Sequence, residues 1–321
     1  MQFGNQNRRQ LLHRSALASA GLALAGSTRS VNAQSNGATP EASPQSATLG
    51  DPTAREGQFA EVNGARIFYQ VSGEGQPMLL LHGYPLSGAL FSRNRDALAE
   101  QYMVITVDHR GYGQSEAPAV PGDVAVYAQD ALSVLDELGV DQAIIGGHSM
   151  GGPITFEMYK SAPDRFRGMI LIDTIAAPAS TIEAALWGGF ADEAEQNGIS
   201  MIYVNALIKD MLSGDTRLNH PEQVTYLTEV VKQASVDGAI GGARALAGRP
   251  DNTGLLGQIN VPTLVFVGVE DTIYPVSISQ MMAKAIPNSQ LAMIPGAAHA
   301  AIFEAPDQST QAILDWAAGI E

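Results

Sequence analysis

The sequence predicts an α/β fold, in which a mostly parallel sheet carries helices on both faces and a helical segment is inserted late in the chain. From residue 58 onward, short apolar segments alternate with longer amphipathic ones, as strands and helices do in such folds. The segments 78–81 and 143–146 contain no polar side chain, which is typical of strands buried on both faces of a parallel sheet. Between about 180 and 248 this alternation stops and only helical patterns occur.

Eight strands are predicted in chain order. Asn63-Gly64 is a preferred two-residue hairpin turn, so we expect it to join the first two strands. The later strands are short apolar runs bounded by Gly, Pro or acidic residues. The predicted strands are 58–62, 65–71, 78–81, 102–107, 143–146, 169–172, 261–267 and 290–294.

Helices are predicted where apolar residues recur at helical spacing. Leu132, Leu135 and Leu138 lie on one face of a helix that ends before Gly139. The helices associated with the sheet are 90–100, 124–138, 151–161, 276–285 and 308–318. Four more follow the sixth strand with no strand between them, at about 181–196, 200–212, 221–235 and 238–247. A helical cap at this place would cover the sheet edge where α/β proteins bind ligands.

The first 57 residues show no pattern of a fold. Arg8-Arg9 precede a mildly apolar stretch at 16–26 and small residues at 31–33, and this order predicts an export signal over residues 1–33. Asn-Arg-Arg-Gln-Leu-Leu resembles the twin-arginine export motif. Residues 34–57, rich in Ser, Thr, Pro, Ala and Gly, predict a flexible linker. We therefore expect transient binding to the twin-arginine export machinery and a periplasmic or secreted location.

Composition disfavours several classes of function. Eighteen Lys and Arg against 33 Asp and Glu give a net charge of −15, and nucleic-acid binding needs the opposite sign. The chain has no cysteine, so disulfides, cysteine-ligated metals and a cysteine nucleophile are excluded. The sequence contains no apolar run of about 18 residues, so no stable membrane anchor is predicted. We expect no cofactor and no metal, because an exported protein lacks a ready supply of NADH, ATP or coenzyme A.

The segment Gly147-His148-Ser149-Met150-Gly151 lies between a predicted strand and a predicted helix. This is the context of a G-x-S-x-G nucleophile elbow, in which the serine hydroxyl is presented at a sharp turn. Ser149 is therefore the candidate nucleophile. The N–H of Met150 and the N–H of Tyr84, in the loop after strand 78–81, are the candidate donors of an oxyanion hole.

A serine hydroxyl becomes a good nucleophile only when a base accepts its proton. Of the six histidines, His299 follows the last predicted strand, where the chain order serine, acid, histidine expects the base. Asp271, directly after strand 261–267, is the preferred acid to orient that base. Glu270, its neighbour, and Asp173, after strand 169–172, stay open as alternatives.

These motifs occur in the order found in the α/β-hydrolase superfamily, which the chain resembles over about residues 58–321. The matching motifs are Leu81-His82-Gly83-Tyr84-Pro85, Asp108-His109-Arg110-Gly111, the elbow, Gly268…Asp271 and His299. The resemblance implies an α/β-hydrolase fold with a Ser149-His299-Asp271 triad, and structural roles for His82 and for residues 108–111. Residues 171–174, 247–251 and 261–264 resemble the branch of 3-oxoadipate enol-lactonases and cofactor-free haloperoxidase-type esterases.

The expected function is hydrolysis of a small-molecule ester or lactone by a serine esterase. Haloalkane dehalogenases and epoxide hydrolases are disfavoured, because they use a carboxylate nucleophile where this chain has Ser149. Perhydrolysis, cleavage of carbon–carbon bonds and amide hydrolysis remain alternatives on the same triad. A non-catalytic binding protein is disfavoured, because such relatives usually lose one member of the triad.

Overall fold

The computed structural model describes residues 49–117 and 123–320, and their strands form one eight-stranded sheet in the order β1-β2-β4-β3-β5-β6-β7-β8. β1 and β2 pair antiparallel with each other, β2 pairs antiparallel with β4, and all other neighbours are parallel. This confirms the predicted mostly parallel sheet. The strands are β1 Gln58–Val62, β2 Ala65–Ser72, β3 Gln76–Leu81, β4 Tyr102–Val107, β5 Ala143–His148, β6 Phe166–Ile172, β7 Thr263–Gly268 and β8 Ser289–Ile294.

The predicted hairpin turn joins β1 to β2. Asn63 and Gly64 have φ values of 50° and 72°, and Val62 pairs with Ala65 across the turn. Both central residues of a two-residue hairpin turn of this kind need positive φ, which asparagine and glycine adopt most readily. The local sequence therefore determines the turn.

The helices alternate with the strands until β6, after which five follow one another. α2 packs against α3, and α1 packs against α11. The helices are α1 Ser92–Ala99, α2 Val124–Glu137, α3 Gly151–Ser161, α4 Thr181–Asn197, α5 Met201–Met211, α6 Gly214–Asn219, α7 Pro221–Lys232, α8 Val236–Ala247, α9 Val276–Ala285, α10 Ala301–Glu304 and α11 Pro306–Ala317. Within the described residues, no helix is both long enough and apolar enough to cross a membrane.

The insertion differs from the prediction by one helix. The predicted helices leave residues 213–220 unassigned, whereas the structure places α6 there; six residues are too few to show helical periodicity. The Ser213 hydroxyl caps α6 by accepting a hydrogen bond from the N–H of Thr216, at 3.1 Å. We refer to α4–α8 as the cap.

The folded domain begins earlier in the chain than the sequence indicated. The predicted signal at 1–33 and most of the predicted linker, up to residue 48, lie outside the described residues. At the end of the predicted linker, the Arg55 guanidinium forms a buried ion pair with Asp108 and donates to Gln70 at 3.2 Å. Composition gave no sign of this contact, because it depends on a single arginine in a segment that is otherwise small and polar.

The parallel strands bring the candidate residues together at one sheet edge. β5 and β7 are buried along their whole length, so each strand is fixed by its packing. The loops that carry Tyr84, Ser149, Asp173 and Asp271 all follow the carboxyl ends of parallel strands, which is where ligands bind in open α/β sheets.

Candidate active site

Ser149 occupies a strained turn between β5 and α3. Its φ is 52°, in the left-handed region that residues other than glycine rarely adopt. Hydrogen bonds to the end of β6 hold it there. Its N–H donates to the carbonyl of Ile172 at 2.9 Å, and its carbonyl accepts from the Thr174 hydroxyl at 2.6 Å. The predicted strand, sharp turn and helix are therefore all present around this serine.

Two glycines make this turn possible. A Cβ on Gly147 would lie 2.1 Å from the carbonyl oxygen of Gly151, and a Cβ on Gly151 would lie 2.4 Å from the carbonyl oxygen of Leu81. Any side chain at either position would collide with backbone. The spacing of the motif thus reflects how closely the elbow packs on itself and on the end of β3.

His299 and Asp271 form a buried pair. The Nδ1 of His299 lies 2.9 Å from Oδ2 of Asp271, and both residues are almost fully buried. The other oxygen, Oδ1, accepts from the N–H groups of Ile273 at 2.8 Å and Tyr274 at 3.0 Å, which stabilise its negative charge. Nδ1 therefore carries a proton toward Asp271, and Nε2 is left as the basic atom of the ring.

The two alternative acids do not contact His299. Glu270 is exposed, whereas Asp173 is fully buried and accepts a hydrogen bond from the N–H of Gly268 at 2.7 Å. Burial, with the nearby charge of Asp271, raises the pKa of the Asp173 carboxyl well above its usual range. The structure thus brings Asp271 to His299, and Asp173 connects the ends of β6 and β7.

The loop after β3 packs directly on the elbow. A Cβ on Gly83 would lie 2.7 Å from the Cβ of Ser149, so the loop approaches the serine as closely as a glycine allows. The N–H groups of Tyr84 and Met150 have no hydrogen-bond acceptor among the described residues. Two unpaired N–H groups beside a serine are what an oxyanion hole requires.

The Tyr84 side chain connects this loop to the cap. Its hydroxyl donates to the carbonyl of Ala239 in α8, at 2.9 Å, and forms a short hydrogen bond with the hydroxyl of Tyr203 in α5. Because Tyr84 donates to the carbonyl, Tyr203 donates to Tyr84. Burial raises the pKa of Tyr84 well above its usual range, so its proton is retained.

Aromatic side chains of the cap surround Tyr84. The Trp187 ring meets the Tyr84 ring edge-on with centroids 5.4 Å apart, and Phe190 lies 5.7 Å from both Trp187 and Tyr203. A Cβ on Gly242 would lie 1.9 Å from the Tyr112 hydroxyl, so α8 approaches these tyrosines only because it lacks a side chain there. The cap therefore lies directly over the oxyanion loop.

Comparison with known proteins agrees with the family resemblance seen in the sequence motifs. The family model for the α/β hydrolase fold matches residues 76–200. A thermophilic esterase from Thermogutta terrifontis is 32% identical, with a TM-score of 0.78 over 82% of this chain and 97% of the esterase. The chain belongs to the α/β-hydrolase superfamily.

Two further proteins are similar to this chain over most of its length and carry names from the branch that the sequence resembles. A putative non-heme chloroperoxidase from Synechocystis sp. is 29% identical over 78% of this chain and 94% of its own length. An enol-lactonase from Burkholderia xenovorans, 24% identical, superimposes with a TM-score of 0.76 over 81% of this chain and 99% of the lactonase. The lactonase supports the α/β-hydrolase fold alone, since its identity is low.

His148 has a contact that the sequence did not indicate. Its Nε2 donates to the carbonyl of His299 at 2.7 Å, and the two rings lie 5.1 Å apart. Burial, and then the proximity of His299, lower the pKa of His148 to about 3, so the ring is neutral. The elbow of this α/β hydrolase therefore supports the backbone of its candidate base. A G-x-S-x-G match carries no information on such a contact.

His82 and His109 form a second buried histidine pair. His82 Nε2 accepts from the backbone N–H of His109 at 2.9 Å, and His82 Nδ1 donates to the carbonyl of Gly83 at 2.8 Å. The His109 ring has no hydrogen-bond partner at either nitrogen among the described residues. Burial lowers the pKa of His82 to about 3 and that of His109 well below its usual range. The His82 ring binds the loop that carries Gly83 and Tyr84, and the His109 ring packs against His82 with ring centroids 4.3 Å apart.

The described residues contain no cluster of three or more histidine or acidic side chains with metal-binding geometry. The chemistry available at this edge of the sheet is that of a serine, a histidine, a carboxylate and backbone N–H donors.

Proposed function

We propose that the protein is an exported serine hydrolase that cleaves small carboxylic esters or lactones. The observation that carries this proposal is the Asp271–His299 pair, buried beside an elbow whose serine is held at positive φ. These three side chains are the nucleophile, base and orienting acid of acyl transfer. The likeness to the Thermogutta esterase, which covers 97% of that enzyme, supports ester chemistry.

The reaction proceeds through an acyl-enzyme. Ser149 attacks the ester carbonyl while Nε2 of His299 accepts its proton, and Asp271 stabilises the imidazolium that forms. The N–H groups of Tyr84 and Met150 donate to the oxyanion of the tetrahedral intermediate. The imidazolium then protonates the leaving alcohol. A water molecule, deprotonated by the same ring, hydrolyses the acyl-enzyme and releases the acid.

Labelling with a fluorophosphonate tests the nucleophile. The wild-type protein should be labelled at Ser149 and should hydrolyse a short-chain p-nitrophenyl ester. Ser149→Ala should fold normally, resist labelling and retain only a small residual rate from the oxyanion donors. Substantial turnover by that variant would show that the elbow assignment is wrong.

Perhydrolysis is the second candidate. Hydrogen peroxide would replace water in the attack on the acyl-enzyme and release a peracid. Pro85, next to an oxyanion donor, and the likeness to the Synechocystis chloroperoxidase favour it. Measuring peracid formation and acid formation side by side, with the same ester and added peroxide, separates the two activities.

A further inference from the structure

The cap contacts the candidate base through both of its chain neighbours. On one side of His299, the N–H of Ala300 donates to the carbonyl of Met211, the last residue of α5, at 2.9 Å. On the other side, the N–H of Ala298 donates to Oε2 of Glu304 at 2.7 Å. The second oxygen of Glu304, Oε1, accepts from the N–H of Ser213, at the start of α6, again at 2.7 Å.

Glu304 thus bridges two backbone segments. The short helix α10 turns the chain back after His299, and the N–H of Glu304 donates to the carbonyl of Ala300 at 2.9 Å. Ala298 and Ser213 are both buried and Glu304 is half-buried, so the two hydrogen bonds to its carboxylate are partly shielded from water. Hydrogen bonds to a charged acceptor are about twice as strong as neutral ones. The bridge is therefore well suited to hold the loop around His299.

The other contacts of His299 do not make this bridge redundant. Asp271 holds the ring at Nδ1, and His148 donates to the carbonyl of His299. Neither contact involves the N–H groups of residues 298 and 300, which donate to Glu304 and to the carbonyl of Met211. Because an error of about 1 Å in a catalytic group costs on the order of 100-fold in rate, backbone support of this kind matters for turnover.

We propose that Glu304 is a positioning residue, through which the cap segment 211–213 holds the backbone of His299 in place for catalysis. The inference rests on the proposed function, since it assigns His299 the role of base. It has a consequence for substrates: an acyl chain long enough to displace the cap also displaces the base. Long-chain esters should therefore lose kcat, and not only affinity.

Two substitutions at Ser213 isolate the bridge. Ser213 has φ −60° and follows Leu212 at φ −110° and ψ 143°, so proline fits this backbone. Ser213→Pro removes the N–H that Glu304 accepts. Ser213→Ala loses the same hydroxyl cap on α6 but retains the N–H, and is the matched control. Glu304→Gln tests the other partner of the bridge. Its NH2 group takes the place of one carboxylate oxygen and cannot accept a hydrogen bond from the backbone N–H of Ser213 or Ala298.

Hydrogen exchange shows whether the bridge holds the loop. The amide protons of Ala298 and Ala300 should exchange faster in Ser213→Pro than in Ser213→Ala. The two variants should have the same denaturant midpoint for global unfolding, so that the difference reports local opening of the loop. This readout needs no substrate. Equal exchange in the two variants would overturn the inference, whatever the reaction of the enzyme is.

Kinetics show whether the bridge positions the base. We expect kcat per fluorophosphonate-titrated site to fall about tenfold or more in Ser213→Pro and Glu304→Gln, with KM little changed and Ser213→Ala near wild type. The loss should be larger for an ethyl ester than for a p-nitrophenyl ester, because only the poor leaving group needs His299 as a proton donor.

The two proposals fail in different ways. A wild-type protein that neither hydrolyses esters nor reacts with the fluorophosphonate would contradict the proposed function. An active wild type whose proline and alanine variants have equal kcat and equal leaving-group dependence would contradict the role of Glu304 alone. A lower folded fraction reduces the number of titrated sites, but it does not change the leaving-group ratio.

Discussion

Acid should destabilise this protein through its buried histidines, and two matched substitutions resolve the effect. The His82 and His148 rings have pKa values of about 3 in the folded protein, against 6.5 for an ordinary histidine, and the pKa of His109 is also well below 6.5. A depressed histidine pKa contributes stability above pH 6.5, and that stability is lost as the pH falls toward the folded pKa. His82 and His148 each cost about 1.4 kcal/mol of unfolding free energy per pH unit in this range.

His82→Phe and His109→Phe each remove one of these protonations. Between pH 6.5 and 4.5 the wild type should therefore lose about 3 kcal/mol more than His82→Phe. It should also lose more than His109→Phe, because the pKa of His109 is lowered in the same direction. At pH 8 the two variants should differ from each other. His82→Phe leaves the buried N–H of His109 without its acceptor, which costs about 1–3 kcal/mol, whereas the His109 ring has no hydrogen bond to lose.

Urea unfolding of the three proteins at half-unit steps from pH 4.5 to 8 measures these differences. Both phenylalanine variants carry the same increase in volume, so their difference at pH 8 reports the two hydrogen bonds of the His82 ring, to His109 and to Gly83. Parallel curves of unfolding free energy against pH for wild type and variants would refute the argument that these rings are neutral in the folded state. Equal stability of the two variants at pH 8 would refute the assigned hydrogen bonds.

Three further predictions concern catalysis, substrate and export. Asp271→Asn should reduce kcat on the order of 10⁴-fold. Asp173→Asn retains an acceptor for the N–H of Gly268 and should reduce kcat less than tenfold. The reverse ranking would identify Asp173 as the acid. Across p-nitrophenyl esters from C2 to C16, kcat/KM should rise about fourfold per methylene over the first carbons, at ~0.8 kcal/mol each, and then fall; a maximum at the longest chain would contradict a covering cap. Replacing Arg8 and Arg9 with lysine should leave full-length precursor inside the cell, and unchanged export would favour the general secretory route.

The sequence alone determined the features that depend on a few consecutive residues. The Asn63-Gly64 turn and the elbow around Ser149 both need backbone conformations that glycine permits, so their residues specify their geometry. Chain order along a parallel sheet also predicted that Asp271 and His299 would lie near that elbow, because every carboxyl end of a parallel strand meets one edge.

Contacts between distant segments were decided by the tertiary structure. Asp173 and Asp271 follow neighbouring strands, so the sequence preferred Asp271 as the acid but left Asp173 open. The packed sheet places Asp271 against Nδ1 of His299. His148 and His299 are 151 residues apart, and Ser213 and Glu304 are 91 residues apart. Their hydrogen bonds require the cap, the elbow and the loop after β8 to be packed together. No local pattern encodes this arrangement, because side-chain periodicity specifies which face is buried and not which atoms it meets.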